Sequence, residues 1–141
     1  MSDPKVDALG HVPMFEGLSR REREFLAAQT DEVQVPAGRT LIRQGEPSDA
    51  FYLLIEGEAE VTQQGRSRPK LGPGSFFGEI SMLDRGPATA TVTATTPCRL
   101  AVMSHAQFRD AVKANDHVLL EVLRVAAARL RRDELDRDEG S

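Results

Sequence analysis

A glycine followed by a carboxylate marks the segment of this 141-residue chain whose residue types best suit the binding of a small ligand. The segment begins at Gly78-Glu79 and ends before Gly86. Residues 79–83 have room for one helical turn, and a helix that begins directly after a glycine presents backbone N–H groups that can bind an anion. The carboxylate of Glu79 could accept hydrogen bonds from a ligand hydroxyl. These residues suit a small ligand that carries both a phosphate and a sugar, although on these residues alone a surface turn with capping chemistry is the favoured interpretation.

Short apolar runs separated by turn residues surround this segment, from about residue 33 to residue 103. Glycine and proline interrupt the runs at intervals of roughly eight to twelve residues, which is typical of a small all-β sandwich or roll. The candidate strands are Val33–Val35, Thr40–Arg43, Ala50–Ile55, Ala59–Gln63, Thr89–Thr95 and Arg99–Met103.

Helical patterns flank the strands on both sides. Ser19 and Ser104 are candidate N-caps, and Glu22 and Gln107 complete a capping box three residues after each of them. We expect a helical lead-in over about residues 12–31 and two C-terminal helices over about residues 104–135, separated near Asn115. The chain, residues 1–141, is therefore expected to be a single, mainly β domain. Its predicted fold is an antiparallel β-roll of the double-stranded β-helix or jelly-roll type, with an N-terminal helix and two C-terminal helices.

The second C-terminal helix carries two apolar edges. A heptad-like stripe steps by four, three and four residues through Leu119, Leu123, Ala126 and Leu130. A second edge consists of Val118, Val122 and Val125. One edge could pack on the β-roll while the other contacts a second copy of the chain or a protein partner, and the sequence leaves both uses open.

Composition and charge exclude several classes of partner. A hydrophobic fraction of 40% and a charged fraction of 28% describe an ordinary globular protein. The net charge of −4 lacks the basic excess that phosphate backbones require, so we expect no nucleic-acid binding by this chain alone. The longest apolar run, Ala50–Ile55, is far shorter than the ~20 residues that span a bilayer, and we expect no membrane contact.

Cysteine and histidine usage argues against catalysis and metal binding. Cys98 is the single cysteine, and the N-terminus lacks the pattern of a secretory signal, so we expect a cytoplasmic protein without disulfides. His11, His105 and His117 lack metal-ligand spacing, and no nucleophile has an evident base. The sequence therefore predicts no enzyme activity, no metal and no cofactor.

Two blocks of the sequence resemble the cyclic nucleotide-binding domains of bacterial cAMP receptor proteins, protein-kinase regulatory subunits and cyclic-nucleotide-gated channels. The block at residues 41–61 resembles the second to fourth strands of that family. The block at residues 77–83, with Pro87 and residues 89–92, resembles its phosphate-binding cassette. The resemblance covers about residues 12–130 and implies an antiparallel β-roll with flanking helices, in agreement with the element order above.

The resemblance also implies roles for individual residues. The backbone amides of Gly78, Ile80 and Ser81 would face the cyclic phosphate, and Glu79 would hold the ribose 2′-hydroxyl. Thr89 lies where some members of the family place a hydroxyl that touches the phosphate or the purine. The implied ligand is cAMP or cGMP.

The cassette departs from the family pattern at one position. Members of the family usually have an arginine after the cassette proline, where it pairs with the cyclic phosphate, whereas this chain has Pro87-Ala88. Removing one partner of a desolvated charge pair costs about 2–5 kcal/mol, which moves a micromolar site toward the millimolar range. Arg85, in the same loop, could compensate. We therefore expect a stand-alone regulatory domain that senses cAMP or cGMP weakly, and the alternative is a ligand-independent interaction, scaffold or dimerisation module on the same fold.

Overall fold

Two antiparallel sheets form the body of the molecule in a computed structural model, which describes Phe15 and residues 18–139, with side chains through Arg132. The described residues contain eight strands: β1 (Asp31–Val35), β2 (Thr40–Ile42), β3 (Ala50–Glu56), β4 (Ala59–Gln63), β5 (Arg66–Leu71), β6 (Phe76–Phe77), β7 (Thr91–Ala94) and β8 (Cys98–Ser104). The strand order is β1-β8-β3-β6 in one sheet and β2-β7-β4-β5 in the other. The helices are α1 (Arg20–Ala28), α2 (Glu79–Asp84), α3 (His105–Ala114) and α4 (Asp116–Glu139). The predicted β-roll with flanking helices is confirmed.

Strand β3 is buried on both of its faces. Phe51 and Leu53 pack with residues of the helices in one hydrophobic cluster, while Leu54 belongs to a second cluster between the two sheets. Because successive side chains of a strand point to opposite faces, a strand between two cores needs apolar residues at nearly every position. This requirement explains the long apolar run of the sequence at residues 50–55.

Both predicted capping boxes are present. The hydroxyl of Ser19 accepts a hydrogen bond from the backbone N–H of Glu22, and the Glu22 carboxylate accepts one from the N–H of Ser19. The N–H of Ser19 is also the main reason that the pKa of Glu22 is lowered. Ser104 and Gln107 repeat the arrangement at the start of α3. The predicted lead-in at residues 12–31 corresponds to α1, although residues 12–14, 16 and 17 lie outside the described residues.

One asparagine connects three helices. The Nδ2 atom of Asn115 donates to Oε2 of Glu22 at 2.5 Å, which ties α1 to the junction of α3 and α4. The Oδ1 atom of the same residue accepts from the backbone N–H groups of His117, at 3.0 Å, and of Val118, at 3.3 Å. The predicted break near Asn115 is confirmed, and its side chain caps α4.

The sequence patterns did not indicate β5 and β6. Strand β5 is largely polar and contains Pro69, which is tolerated because β5 pairs only with β4 and forms the edge of its sheet. The turn before it, Gln64-Gly65, has positive φ at both residues, 51° and 77°, as in a type I′ hairpin. Strand β6 is two residues long and takes its register from β3.

Helix α4 packs on the core through its valine edge. Val118, Val122 and Ala126 are between 0% and 4% exposed, whereas Leu120, Leu123 and Leu130 are between 43% and 65% exposed. Of the two apolar edges in the sequence, the valine edge therefore faces the β-roll. Of the leucine stripe, Leu123 and Leu130 face outward, Leu119 is half-buried, and Ala126 is buried.

A matched pair of substitutions tests this orientation. We expect Val122→Ala to lower the free energy of unfolding by about 2 kcal/mol, because it removes fully buried methyl groups and leaves a cavity. Leu123→Ala, on the adjacent outward position, should change it by less than about 0.5 kcal/mol. Urea denaturation followed by circular dichroism measures both changes. Equal losses in the two variants would contradict the orientation of α4.

Candidate functional site

A cavity of about 380 Å³ lies between the β-roll and α4. This volume is within the range typical of small-molecule sites. Its apolar lining includes Ile42, Val61, Phe77 and Val92. Of the residues predicted to form the site, six line this cavity: Gly78, Glu79, Ile80, Ser81, Ala88 and Thr89.

Gly78 positions the start of α2 against β3. Its φ of +89° is in the left-handed region, which favours glycine, and a Cβ built on it would lie 2.6 Å from the backbone oxygen of Ala50. The predicted helical turn follows at Glu79–Asp84, and no side chain caps its N-terminus. The first-turn N–H groups of α2 therefore have no side-chain cap beside the cavity.

Glu79 is a buried carboxylate whose partner comes from the C-terminal helix. Only 2% of the residue is exposed, and its Oε1 accepts a hydrogen bond from Nη1 of Arg129 on α4 at 2.6 Å. The same guanidinium donates through Nη2 to the backbone oxygen of Phe76 at 2.7 Å and lies 5.5 Å from the centre of the Phe76 ring. Helix α4 is therefore joined to α2 and β6 by one arginine.

Ala88, the residue after the cassette proline, brings an apolar side chain to the cavity. Ala88 is 7% exposed and belongs to the hydrophobic cluster between the sheets. Its backbone N–H donates to the oxygen of Glu46, and its own oxygen accepts from the N–H of Gly45, both at 2.9 Å. The amide of Ala88 is thus already paired within the protein, and its methyl group adds apolar surface to the cavity lining.

Arg85 lies outside the cavity lining. This residue ends α2 with a left-handed φ of 60°, and its Nη1 is 3.4 Å from each ring nitrogen of His105, at the start of α3. The backbone N–H of Arg85 donates to the oxygen of Ser81 at 2.9 Å, but its guanidinium, the predicted substitute for the family arginine, lies at His105 and not in the cavity lining.

Five basic residues that were not among the predicted site residues also line the cavity. Two come from β5 and three from α4: Arg68, Lys70, Arg124, Arg129 and Arg132. Glu79 is the one carboxylate among the lining residues. A hydrogen bond between Arg124 and Glu121 raises the pKa of the arginine and lowers that of the glutamate. The sequence held no signal for these cations, since they lie on two elements far apart in the chain, one of them a strand that was not predicted.

The described residues do not provide a metal site, an exposed thiol or a membrane-spanning helix. No group of three or more histidine, cysteine, aspartate or glutamate side chains there could hold a metal ion. Cys98 is buried, and its thiol donates to backbone oxygens of Glu58 and Thr96. Over the same part of the chain, no helix has the length and apolar character needed to cross a membrane.

Comparison with known proteins assigns the fold to a family. A model of the cyclic nucleotide-binding domain matches residues 32–115, which include the cassette residues 77–92. The chain belongs to the cyclic nucleotide-binding domain family. The resemblance noted in the sequence is thereby confirmed.

The relatives of this cyclic nucleotide-binding domain are regulators. It is 38% identical over 103 residues to a cAMP-dependent protein kinase regulatory subunit of Emericella nidulans, covering 72% of this chain and 25% of that protein. It is 31% identical over 134 residues to a CRP-like cAMP-activated global transcriptional regulator of Mycobacterium tuberculosis, covering 89% of this chain and 58% of that one. The chain thus spans between a quarter and about three-fifths of these relatives. Both are named for regulation and not for catalysis.

A solved structure shares the architecture. The catabolite activator protein of Thermus thermophilus superposes with a TM-score of 0.79 at 28% identity, over 89% of this chain and 62% of that one. The β-roll and its flanking helices therefore have the architecture of the cyclic nucleotide-binding domain family.

A double-mutant cycle tests the contact between Glu79 and Arg129. Removing one partner of a buried pair typically costs about 3–5 kcal/mol, and partial exposure of Arg129 reduces the expected loss for Arg129→Gln to about 1–3 kcal/mol. Because Glu79→Gln removes the stranded charge, the double variant should recover part of that loss, with a coupling energy of about 1–3 kcal/mol. Urea denaturation of the four proteins measures it.

The exposed pair of Glu121 and Arg124 on the same helix provides the control. The Arg124 side chain is 69% exposed, so the coupling energy of this pair should not exceed about 0.5 kcal/mol. A coupling energy for Glu79 and Arg129 no larger than that of the control pair would contradict a role for their contact in holding α4.

Proposed function

We propose that this chain is a single regulatory domain that binds cAMP or cGMP weakly in the cavity beside α2. The observation that carries the proposal is that the buried carboxylate of Glu79, the uncapped first turn of α2 and Thr89 line one cavity. A carboxylate can accept hydrogen bonds from a ribose hydroxyl, and backbone amides can bind a phosphate. The names of the two regulatory relatives, which refer to cAMP, support this class of ligand.

Weak affinity follows from the absence of a positive charge at Ala88. A cyclic mononucleotide carries one negative charge, and the residue at the family's arginine position is uncharged and buried. Losing one partner of such a pair costs about 2–5 kcal/mol, and each 1.4 kcal/mol is a factor of ten in affinity. Arg85, which contacts His105, does not replace the missing charge.

Regulation by this domain would act through α4. A ribose hydroxyl at Glu79 and the guanidinium of Arg129 would use the same buried carboxylate. Ligand occupancy would therefore bias the position of α4, and with it any surface that α4 presents to a partner. Such a change is a population shift, which requires that the ligand bind one arrangement of α4 better than the other.

Calorimetric titration with cAMP and cGMP tests the proposal. We expect the wild-type protein to bind in the millimolar range and Ala88→Arg to bind at least one of the nucleotides about tenfold tighter or more, because the variant restores the countercharge. Ala127→Arg, which adds the same charge at an exposed position of α4 outside the cavity, should leave the affinity unchanged. Micromolar binding by the wild type would contradict the charge argument. If neither the wild type nor a folded Ala88→Arg binds cAMP or cGMP, the cavity is not a cyclic nucleotide site.

The outward leucines favour a second candidate function, a dimerisation module that works without ligand. Leu120, Leu123 and Leu130 are exposed on one side of α4, while the valine edge packs on the roll. A heptad-like stripe of this kind suits the pairing of two helices.

Light scattering after size-exclusion chromatography distinguishes this candidate. A dimerisation module predicts a wild-type dimer without nucleotide at about 50 µM and a monomer for Leu123→Glu, since a charge in a helix seam disrupts its packing. The control Ala114→Glu places the same charge on an exposed residue of α3 and should leave the mass unchanged. A wild-type protein that is monomeric throughout would exclude dimerisation by this stripe.

A further inference from the structure

The charge lining the cavity exceeds what a cyclic mononucleotide requires. Five basic side chains and one carboxylate line it among the described residues, although the whole chain has a net charge of −4. The positive excess is therefore a property of this cavity and not of the protein surface in general. A cleft lined by one sign of charge raises the local concentration of ligands of the opposite sign.

Partners within the protein balance part of this excess. Arg129 pairs with Glu79, Arg124 pairs with Glu121, and Nε of Arg68 donates to Oε1 of Gln63 at 3.1 Å. Lys70 on β5 and Arg132 on α4 remain, and neither makes a hydrogen bond or ion pair with another described residue. Both side chains belong to exposed residues, so they are hydrated cations at the edge of the cavity.

The cations are distributed along two separate elements. Arg124 and Arg132 are eight residues apart on α4, which corresponds to about 12 Å along a helix. Arg68 and Lys70 are two residues apart on β5, which separates their Cα atoms by at most about 7 Å, and both line the cavity beside a register shift in the β4–β5 pairing. One cyclic phosphate, which carries a single charge at one end of a sugar, cannot contact all of these positions. A ligand with separated phosphate groups can.

We propose that the preferred ligand of this cavity is a nucleotide that carries at least two phosphate groups, one of them contacted by Lys70 and Arg132. The inference rests on the proposed function, namely that the cavity takes a nucleotide whose sugar reaches Glu79. The two phosphates can belong to one nucleoside or can join two nucleosides in a ring. The position of Ala88 agrees with this assignment, because the chain has lost the single charge at the base of the cavity and has cations at its rim.

Titration with three adenine nucleotides tests the proposal on the intact protein. The probes are cAMP, adenosine 3′,5′-bisphosphate and cyclic di-AMP, which differ in the number of phosphates and nucleosides. We expect at least one of the two bisphosphorylated probes to bind about tenfold tighter than cAMP at about 50 mM salt, with the advantage decreasing at about 200 mM salt as screening increases. The tighter of the two identifies the arrangement of phosphates. The proposal is overturned if neither binds tighter than cAMP.

Substitutions of Lys70 and Arg132, the two cations at the edge of the cavity, distinguish a specific phosphate contact from nonspecific electrostatic attraction. Lys70→Gln and Arg132→Gln should each weaken the bisphosphorylated probe by roughly threefold to tenfold and cAMP by less than about twofold, because charge-assisted hydrogen bonds to phosphate are lost. Arg66→Gln and Arg131→Gln remove the same charge from neighbouring residues on β5 and α4 that do not line the cavity, and they should have little effect. Equal losses in all four variants would overturn the proposal.

The outcome for cAMP keeps the two proposals distinguishable. If cAMP binds and gains affinity in Ala88→Arg while the bisphosphorylated probes bind no tighter than cAMP, the proposed function stands and this inference fails. If none of the three probes binds to the wild type or to Ala88→Arg, both fail.

Discussion

The ion pair between Glu79 and Arg129 is the contact on which the arrangement of this site depends. A carboxylate that is 2% exposed requires a partner, because burial of an uncompensated charge is costly. The partner is 50 residues away in the chain and reaches Glu79 from α4. Since the same guanidinium also holds the backbone oxygen of Phe76, a movement of α4 leaves two buried acceptors without their donor. The position of the helix and the state of the cavity are therefore linked.

The buried side of the cavity is built on β3. Residues of β6 pair with β3, and the chain then passes so close to the Ala50 oxygen at Gly78 that only a glycine fits, directly before α2 begins. The ring of Phe77 stacks on Tyr52 at a centroid distance of 5.0 Å, and burial raises the pKa of the tyrosine. Glu79 follows directly from these contacts, so its position is determined by the core of the roll.

The open side of the cavity has a different physical character. Lys70 and Arg132 lie on exposed parts of β5 and α4, and their charges are screened by water and salt. The site thus combines a buried carboxylate that can recognise a sugar with a hydrated cationic rim that can attract phosphate. Ala88 contributes packing between the sheets and carries no charge. The basic side chains that line the cavity therefore come from β5 and α4 and not from the segment around Ala88.

Local interactions determined what the sequence alone could predict. The capping boxes at Ser19 and Ser104, the buried strand at residues 50–55 and the turn after Gly78 were all evident, because each depends on residues a few positions apart. The six cavity-lining cassette residues could be named through the family resemblance, since they are close together in the chain. Strand β5 was not evident, because an edge strand with a proline lacks an apolar alternation and exists through its pairing with β4.

Contacts between distant segments decided the rest. The two apolar edges of α4 are similar in hydrophobicity, and only packing against the roll selected the valines for the interior. Arg129 was indistinguishable in the sequence from the other arginines of its helix. Folding places it beside the buried carboxylate of Glu79, to which it donates a hydrogen bond. Arg85, near the cassette in sequence, lies against His105 instead of in the cavity. The charge around the cavity is a sum over strand and helix residues that meet only after folding, so no local pattern could predict it.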